Sequence, residues 1–199
     1  TIGYQLAGTK RIQQVLAREG EVEKFLSIRS PNYNNPGGIS DAALVRECFA
    51  GLYGLDINDI EADTAIANAL AKPEDYILKP QREGGGNNLY DKDMVKMLQG
   101  KREELSAYIL MKKIKGPTQR AFLMVHGHNY RCVDSISELG IYGLYVGGHL
   151  SSRTAVLNSQ TGYLIRTKAS DDNEGGILAG YSTLSSLKLI APAAVSLVK

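Results

Sequence analysis

Apolar positions recur at helical spacing through Ile12, Val15, Leu16, Val22 and Leu26, with a break near Gly20, which predicts a helical stretch that begins at Lys10. Ser30 to Gly38 (Ser-Pro-Asn-Tyr-Asn-Asn-Pro-Gly-Gly) has turn residues and no period, so it reads as an inserted loop. Ser40 or Asp41 is placed to cap a helix running to about Gly54. On it Leu44, Val45, Cys48, Phe49 and Leu52 share a spacing that predicts a packed thiol. The alanine-rich Glu61 to Ala71 predicts a second helix. Tyr76-Ile77-Leu78 predicts a short buried strand, with Pro80 stopping the ladder and Lys79 at the strand's exit. Asp91 or Asp93 begins a helix carrying Met94, Val95, Met97 and Leu98, and Ala107 to Ile114 has the composition of a central strand. Ser135 to Val146 reads as a pair of strands, and Thr161 to Lys168 as one more. Strands and helices alternate irregularly, not as strict βαβ units, which predicts an α+β fold with antiparallel sheet.

Composition narrows the partners. Against 21 acidic residues stand 23 Lys and Arg, a net charge of +2, so nothing points to a nucleic acid or a membrane surface and any anion site must be local. No apolar run reaches a membrane span, and a cytoplasmic protein is expected. Cys48 and Cys132 have neither zinc nor redox spacing. His126 and His128 alternate like ligands, yet lack a third ligand at matching spacing and adjoin the turn residues Gly127 and Asn129; His149 is isolated.

Candidate chemistry concentrates in Lys79 to Tyr90, Lys-Pro-Gln-Arg-Glu-Gly-Gly-Gly-Asn-Asn-Leu-Tyr. Gly84, Gly85 and Gly86 have no Cβ, so their N–H groups can approach a phosphate closely; read alone, the same residues make a flexible linker. Lys79 offers a compact positive charge, and Glu83 the hard oxygen that Mg²⁺ takes beside nucleotide phosphates. The segment lacks both the Lys-Ser/Thr of a P-loop and the glycine spacing of a Rossmann turn. Elsewhere, Glu138 lies in an apolar strand and needs a partner, either a ligand or a neighbouring lysine. Arg166 and Lys168 share a strand face and need an anion, which Asp171, Asp172, Asn173 and Glu174 could offer across a loop. On residue type alone, Lys10 is solvent-facing, and Met111 and Ile114 are packing residues.

The Lys79 to Tyr90 segment resembles the glycine-rich lid loop of eukaryotic-type glutathione synthetases, which are ATP-grasp ligases. Leu6 to Lys10, Ile136 to Gly143 and Leu164 to Lys168 are similar to further family blocks in the same order. The likeness weakens at Arg29 to Asp41, Lys115 to Tyr130 and the last dozen or so residues. It implies an ATP-grasp fold, with antiparallel sheets and helices enclosing a nucleotide cleft under glycine-rich lids. It also implies that residues 1–199 are the C-terminal portion of a larger, homodimeric enzyme, whose missing N-terminal part supplies further Mg²⁺ and substrate ligands. By the same resemblance, ATP is contacted by Lys10, Lys79, Gly84, Gly85, Gly86, Asn88, Tyr90, Met111, Ile114, Glu138, Lys168 and Glu174. Mg²⁺ is held by Glu83, and substrate by Arg166, Ile177 and Leu178 in the second small-residue loop, 174–180. No residue is a nucleophile. The implied reaction joins glycine to γ-glutamylcysteine through an acyl phosphate; β-alanine as acceptor, or a non-catalytic nucleotide-binding fragment, are the other readings. Two residues depart from the family: Lys112 stands where glutamate is usual, and Leu178 where alanine is.

Overall fold

The computed structural model describes residues 2–26, 40–81, 86–125, 129–147, 155–177 and 180–187, in two compact units, Thr1–Lys115 and Gly116–Lys199.

The first unit holds helices α1 (Ile2–Ala7), α2 (Lys10–Ala17), α3 (Glu21–Leu26) and α4 (Asp41–Glu47), then β1 (Leu52–Gly54), α5 (Ala62–Ala71), β2 (Tyr76–Pro80), α6 (Asp91–Leu98) and β3 (Tyr108–Lys112). The break near Gly20 is real: Gly20 takes φ 79 between α2 and α3, a left-handed conformation suited to glycine. Arg46 of α4 fastens these short helices. Its Nε and Nη2 donate to the two Glu23 carboxylate oxygens, both at 2.7 Å. Its Nη1 and Nη2 also donate to the carbonyls of Ala17 (3.1 Å) and Arg18 (2.8 Å), where α2 runs out of internal partners. The guanidinium holds the Glu23 carboxyl down at about 2.

The three strands form an antiparallel sheet ordered β1-β3-β2, so the Ala107 to Ile114 segment is central, as its composition predicts. Period-two alternation divides the sheet. Leu78 and Leu110 are direct partners, both fully buried, and join Ala65, Ala69, Met94 and Leu98 of α5 and α6 in one core. Lys79 and Ile109 are partners on the opposite face, which Gly54 and Met111 share by register.

In this unit three expectations need correction. The helix from Ser40 ends at Glu47, because Leu52–Gly54 pairs with β3; backbone pairing across the fold overrides the helical spacing. Cys48, left at the helix end, is exposed and not packed. Pro80 does not stop the ladder: it is the last residue of β2, opposite Tyr108, and Gln81 N–H bonds the Ala107 carbonyl at 2.9 Å. An edge strand tolerates proline there.

The second unit is an antiparallel sheet ordered β4-β5-β6-β7, from β4 (Gln119–Val125), β5 (Asn129–Gly147), β6 (Ala155–Ala169) and β7 (Ser182–Ser185). Ser135 to Val146 is therefore not a strand pair but part of one long strand. Where two strands were expected, the ladder has only a register shift at Tyr142/Gly143, with Thr161 of β6 as the extra residue. One face buries Leu123, Ser135, Ile165, Thr167 and Ala169. Hydroxyls of Ser137, Thr167 and Ser185 run across it at 2.9 and 2.7 Å.

Candidate nucleotide site

The glycine segment is closed at its base. Leu78 and Leu89 bond each other through both backbones, N–H to carbonyl at 3.0 and 2.8 Å, so the chain leaves β2 after Pro80 and is back beside the same strand at Leu89. Lys79 and Asn88 are half-buried neighbours of that closure, and Asn88 Nδ2 donates to the Tyr90 hydroxyl at 3.2 Å. Gly86 has φ 82, a conformation that costs a side-chain-bearing residue and not glycine. Glu83, Gly84 and Gly85 lie outside the described residues. Met111 is half-buried on the Lys79 face, whereas Ile114 lies past the end of β3 and is 76% exposed.

Lys10 opens α2 and is half-buried. One helical turn on, Gln14 is 3% exposed. Its Oε1 accepts from Arg11 Nη1 at 2.9 Å and its Nε2 donates to Asp59 Oδ2 at 3.0 Å. Arg11 also pairs with Asp56 at 2.5 Å, and Arg18 with Asp59 at 3.5 Å. A Cβ on Gly54 would collide with Gln14 Nε2 and Asp59 Oδ2, so glycine is what lets α2 close on this side of the sheet.

In the second unit, Glu138 and Arg166 are direct cross-strand partners, and Arg166 Nη2 donates to Glu138 Oε2 at 2.5 Å. The carboxylate's partner is thus an arginine, not a neighbouring lysine, and the pair is 43–44% exposed. Lys168, on the same face, donates from Nζ to the carbonyls of Asp172 (2.9 Å) and Asn173 (3.4 Å), fixing the turn after β6 by its backbone oxygens. Ser182 Oγ donates to the Gly175 carbonyl at 2.9 Å, and a Cβ on Gly175 would lie 3.8 Å from Glu138 Oε1. Glu138, Arg166, Lys168 and Gly175 therefore cluster, with half-buried Glu174 and Ile177 on the same turn. Tyr181 N–H and Gly180 N–H close that turn onto the carbonyls of Gly176 and Ile177, both at 3.0 Å. Leu178 lies outside the described residues, as do His126, His128 and His149.

Among the described residues no group of three or more His, Cys, Asp or Glu could hold a metal ion, so they make no cage of their own. Sequence reasoning passed over Gln14, Gly54, Asp59 and Ser182. The signal for Gln14 was present: a glutamine three residues from Arg11 and one turn from Lys10 on an otherwise amphipathic helix.

Residues 3–189 match the family described as eukaryotic glutathione synthase, ATP binding domain. The chain is 46% identical over 185 residues to the glutathione synthetase of Homo sapiens and 45% to that of Bos taurus, covering 92% of this chain and 36% of each relative. It is 43% identical over 195 residues to the chloroplastic glutathione synthetase of Solanum lycopersicum, covering 96% of this chain and 32% of that one. The chain thus spans about a third of the length of these relatives. A glutathione synthetase-like effector from Globodera pallida, in its apo form, superposes with a TM-score of 0.62 at 21% identity, covering 92% of this chain and 34% of that one; this shows the fold. An α+β, ATP-grasp-like architecture, a closed glycine segment beside Lys79 and a match over nearly the whole sequence agree: the chain belongs to the eukaryotic glutathione synthase ATP-binding domain family.

Proposed function

We propose that the chain is the nucleotide-binding portion of an ATP-dependent ligase that joins glycine to γ-glutamylcysteine, giving glutathione, ADP and phosphate. The observation that carries this reading is the loop closed between Leu78 and Leu89, which sets Lys79, Gly86, Asn88 and Tyr90 around a segment able to approach phosphate through its backbone. In the proposed reaction a carboxylate oxygen of γ-glutamylcysteine takes the γ-phosphoryl group and ADP leaves. The glycine amine then attacks the acyl phosphate, an amide forms and phosphate departs. No side chain has to be a nucleophile; the protein holds, neutralises and shields.

Lys10, Lys79 and Lys168 are the cations proposed for the phosphates, Gly84 and Gly85 complete the loop, and Met111 and Ile114 flank the adenine. Arg166 takes the peptide carboxylate, Glu138 and Glu174 take nucleotide donors, and Ile177 and Leu178 shape the acceptor end. The half-exposed Glu138–Arg166 pair supports this assignment, because an ion pair open to water is cheap to exchange for ligand partners. A Mg²⁺ accompanying ATP would draw most of its oxygens from phosphate and water, with Glu83 as its proposed protein ligand. The remainder of a relative-length enzyme, acting as a homodimer, is the proposed partner. Exposed Tyr142, Leu144, Val146 and Leu157, on one face of the β5–β6 ribbon, give that remainder an apolar surface to cover. No described helix is long and apolar enough to cross a membrane; a cytoplasmic location is proposed, although two plant relatives carry the word chloroplastic in their names.

The test is product analysis in the relative-length protein with ATP, γ-glutamylcysteine and either glycine or β-alanine. Glutathione formation with glycine as the main acceptor, beside measurable use of β-alanine, is expected. Leu178→Ala should change the glycine to β-alanine ratio by about tenfold, the worth of one methylene in a pocket. ATP binding with no amide product from either acceptor would overturn the ligase reading in favour of a non-catalytic nucleotide-binding protein.

A further inference from the structure

We propose that Gln14 is a positioning residue for Lys10, anchoring α2 so that the lysine is presented on the sheet face that carries Lys79 and Met111; this rests on the reading of Lys10 as a nucleotide contact. A buried amide is costly unless both of its ends are bonded, so a helix docked by packing alone would favour an apolar residue at this position. Here both ends are bonded: Arg11 donates to Oε1 and Nε2 donates to Asp59. Asp59 is fixed in turn by Arg18 and by its own N–H to the Asp56 carbonyl at 3.0 Å, and Asp56 pairs with Arg11. The amide is therefore one member of a network joining α2 to the β1–α5 connection.

Hydrogen bonds are directional and apolar contacts are not, so such an anchor sets the rotation of an eight-residue helix about its axis, which packing would leave loose. Lys10 and Gln14 are four residues apart, on the same helix face. The anchor is seated where the Gly54 Cβ would be, and Gly54 shares its sheet face with Lys79 and Met111. Holding Gln14 against that face turns Lys10 towards it.

The experiment is a double-mutant cycle read by titration of the chain with Mg²⁺ and a non-hydrolysable ATP analogue, for the parent, Gln14→Met, Lys10→Met and the double variant. Methionine keeps the volume and removes both hydrogen bonds. Gln14→Met should weaken binding about fivefold in the parent and not at all in the Lys10→Met background, the non-additivity of two residues acting through one contact. Asp59→Ala, which removes the amide's acceptor from the other side, should show the same dependence on Lys10, so the cycle stands even if one variant folds poorly. Equal weakening in both backgrounds, or none in either, would overturn the inference while leaving the function reading intact. Undiminished binding by Lys10→Met alone would instead remove Lys10 from the nucleotide site, and the inference with it.

Discussion

Leu78 and Lys79 are adjacent on β2, yet alternation sends their side chains to opposite faces, and substitutions there should have opposite consequences. Leu78 is fully buried against Leu110, Met94 and Leu98. Truncation to alanine removes three carbons, about 2.4 kcal/mol of transfer free energy at roughly 0.8 per methylene, and leaves a cavity worth about 1 kcal/mol more. For a unit the size of Thr1–Lys115, a loss of about 3 kcal/mol corresponds to a fall in melting temperature of roughly 12 °C. The backbone bonds to Leu89 need no side chain, so the glycine segment stays closed and nucleotide affinity, measured well below the melting point, should change less than about threefold. Lys79→Met should do the reverse: melting within about 2 °C of the parent, as for most replacements away from a core, and a loss near a hundredfold in ATP-dependent turnover of the relative-length protein. Calorimetric melting with nucleotide titration, and turnover for Lys79→Met, reads both arms. If Leu78→Ala melted within 3 °C of the parent, or Lys79→Met fell as far as Leu78→Ala, the assignment of faces would be wrong.

Acid should loosen the α2–α3–α4 corner. The Glu23 carboxyl is lowered from 4.5 to about 2, first by its hydrogen bond from Arg46, so its contribution is present above about pH 4.5 and disappears as the pH falls towards 2. Arg46→Met should flatten the acid limb of a stability titration in that window; an unchanged limb would mean that other carboxylates dominate it. Ser40 accepts from Ala43 N–H at 3.2 Å as the cap of α4, so Ser40→Ala should cost about 1 kcal/mol in urea unfolding and Ser40→Asp nearly nothing.

Local patterns were read from the sequence where a segment's own residues decide its state. The alanine run at α5, the acidic start of α6 and the β-branched and apolar β3 fall where composition places them. Segments whose state depends on a distant partner were not legible. Leu52–Gly54 looks like the end of a helix until β3 is beside it, and Ser135 to Val146 looks like two strands until β6 runs alongside it throughout. β4 lay in a stretch the family likeness barely reached, and no strand was expected there. The same limit applies to the candidate site. A need for a partner at Glu138 follows from its apolar neighbours, but only the register Glu138↔Arg166 names the arginine. The Gln14 anchor needs three segments brought together by the fold: α2, Gly54 and Asp59.

Hydrogen–deuterium exchange of the chain with and without Mg²⁺–ATP tests most directly whether the Lys79 face of the β1-β3-β2 sheet, with its closed glycine segment, receives the nucleotide. Slower exchange over Lys79 to Tyr90 and Tyr108 to Lys112, with α5 unchanged behind the opposite face, is the expected result. Protection absent from the Lys79 to Tyr90 segment while ATP binds elsewhere on the chain would contradict it.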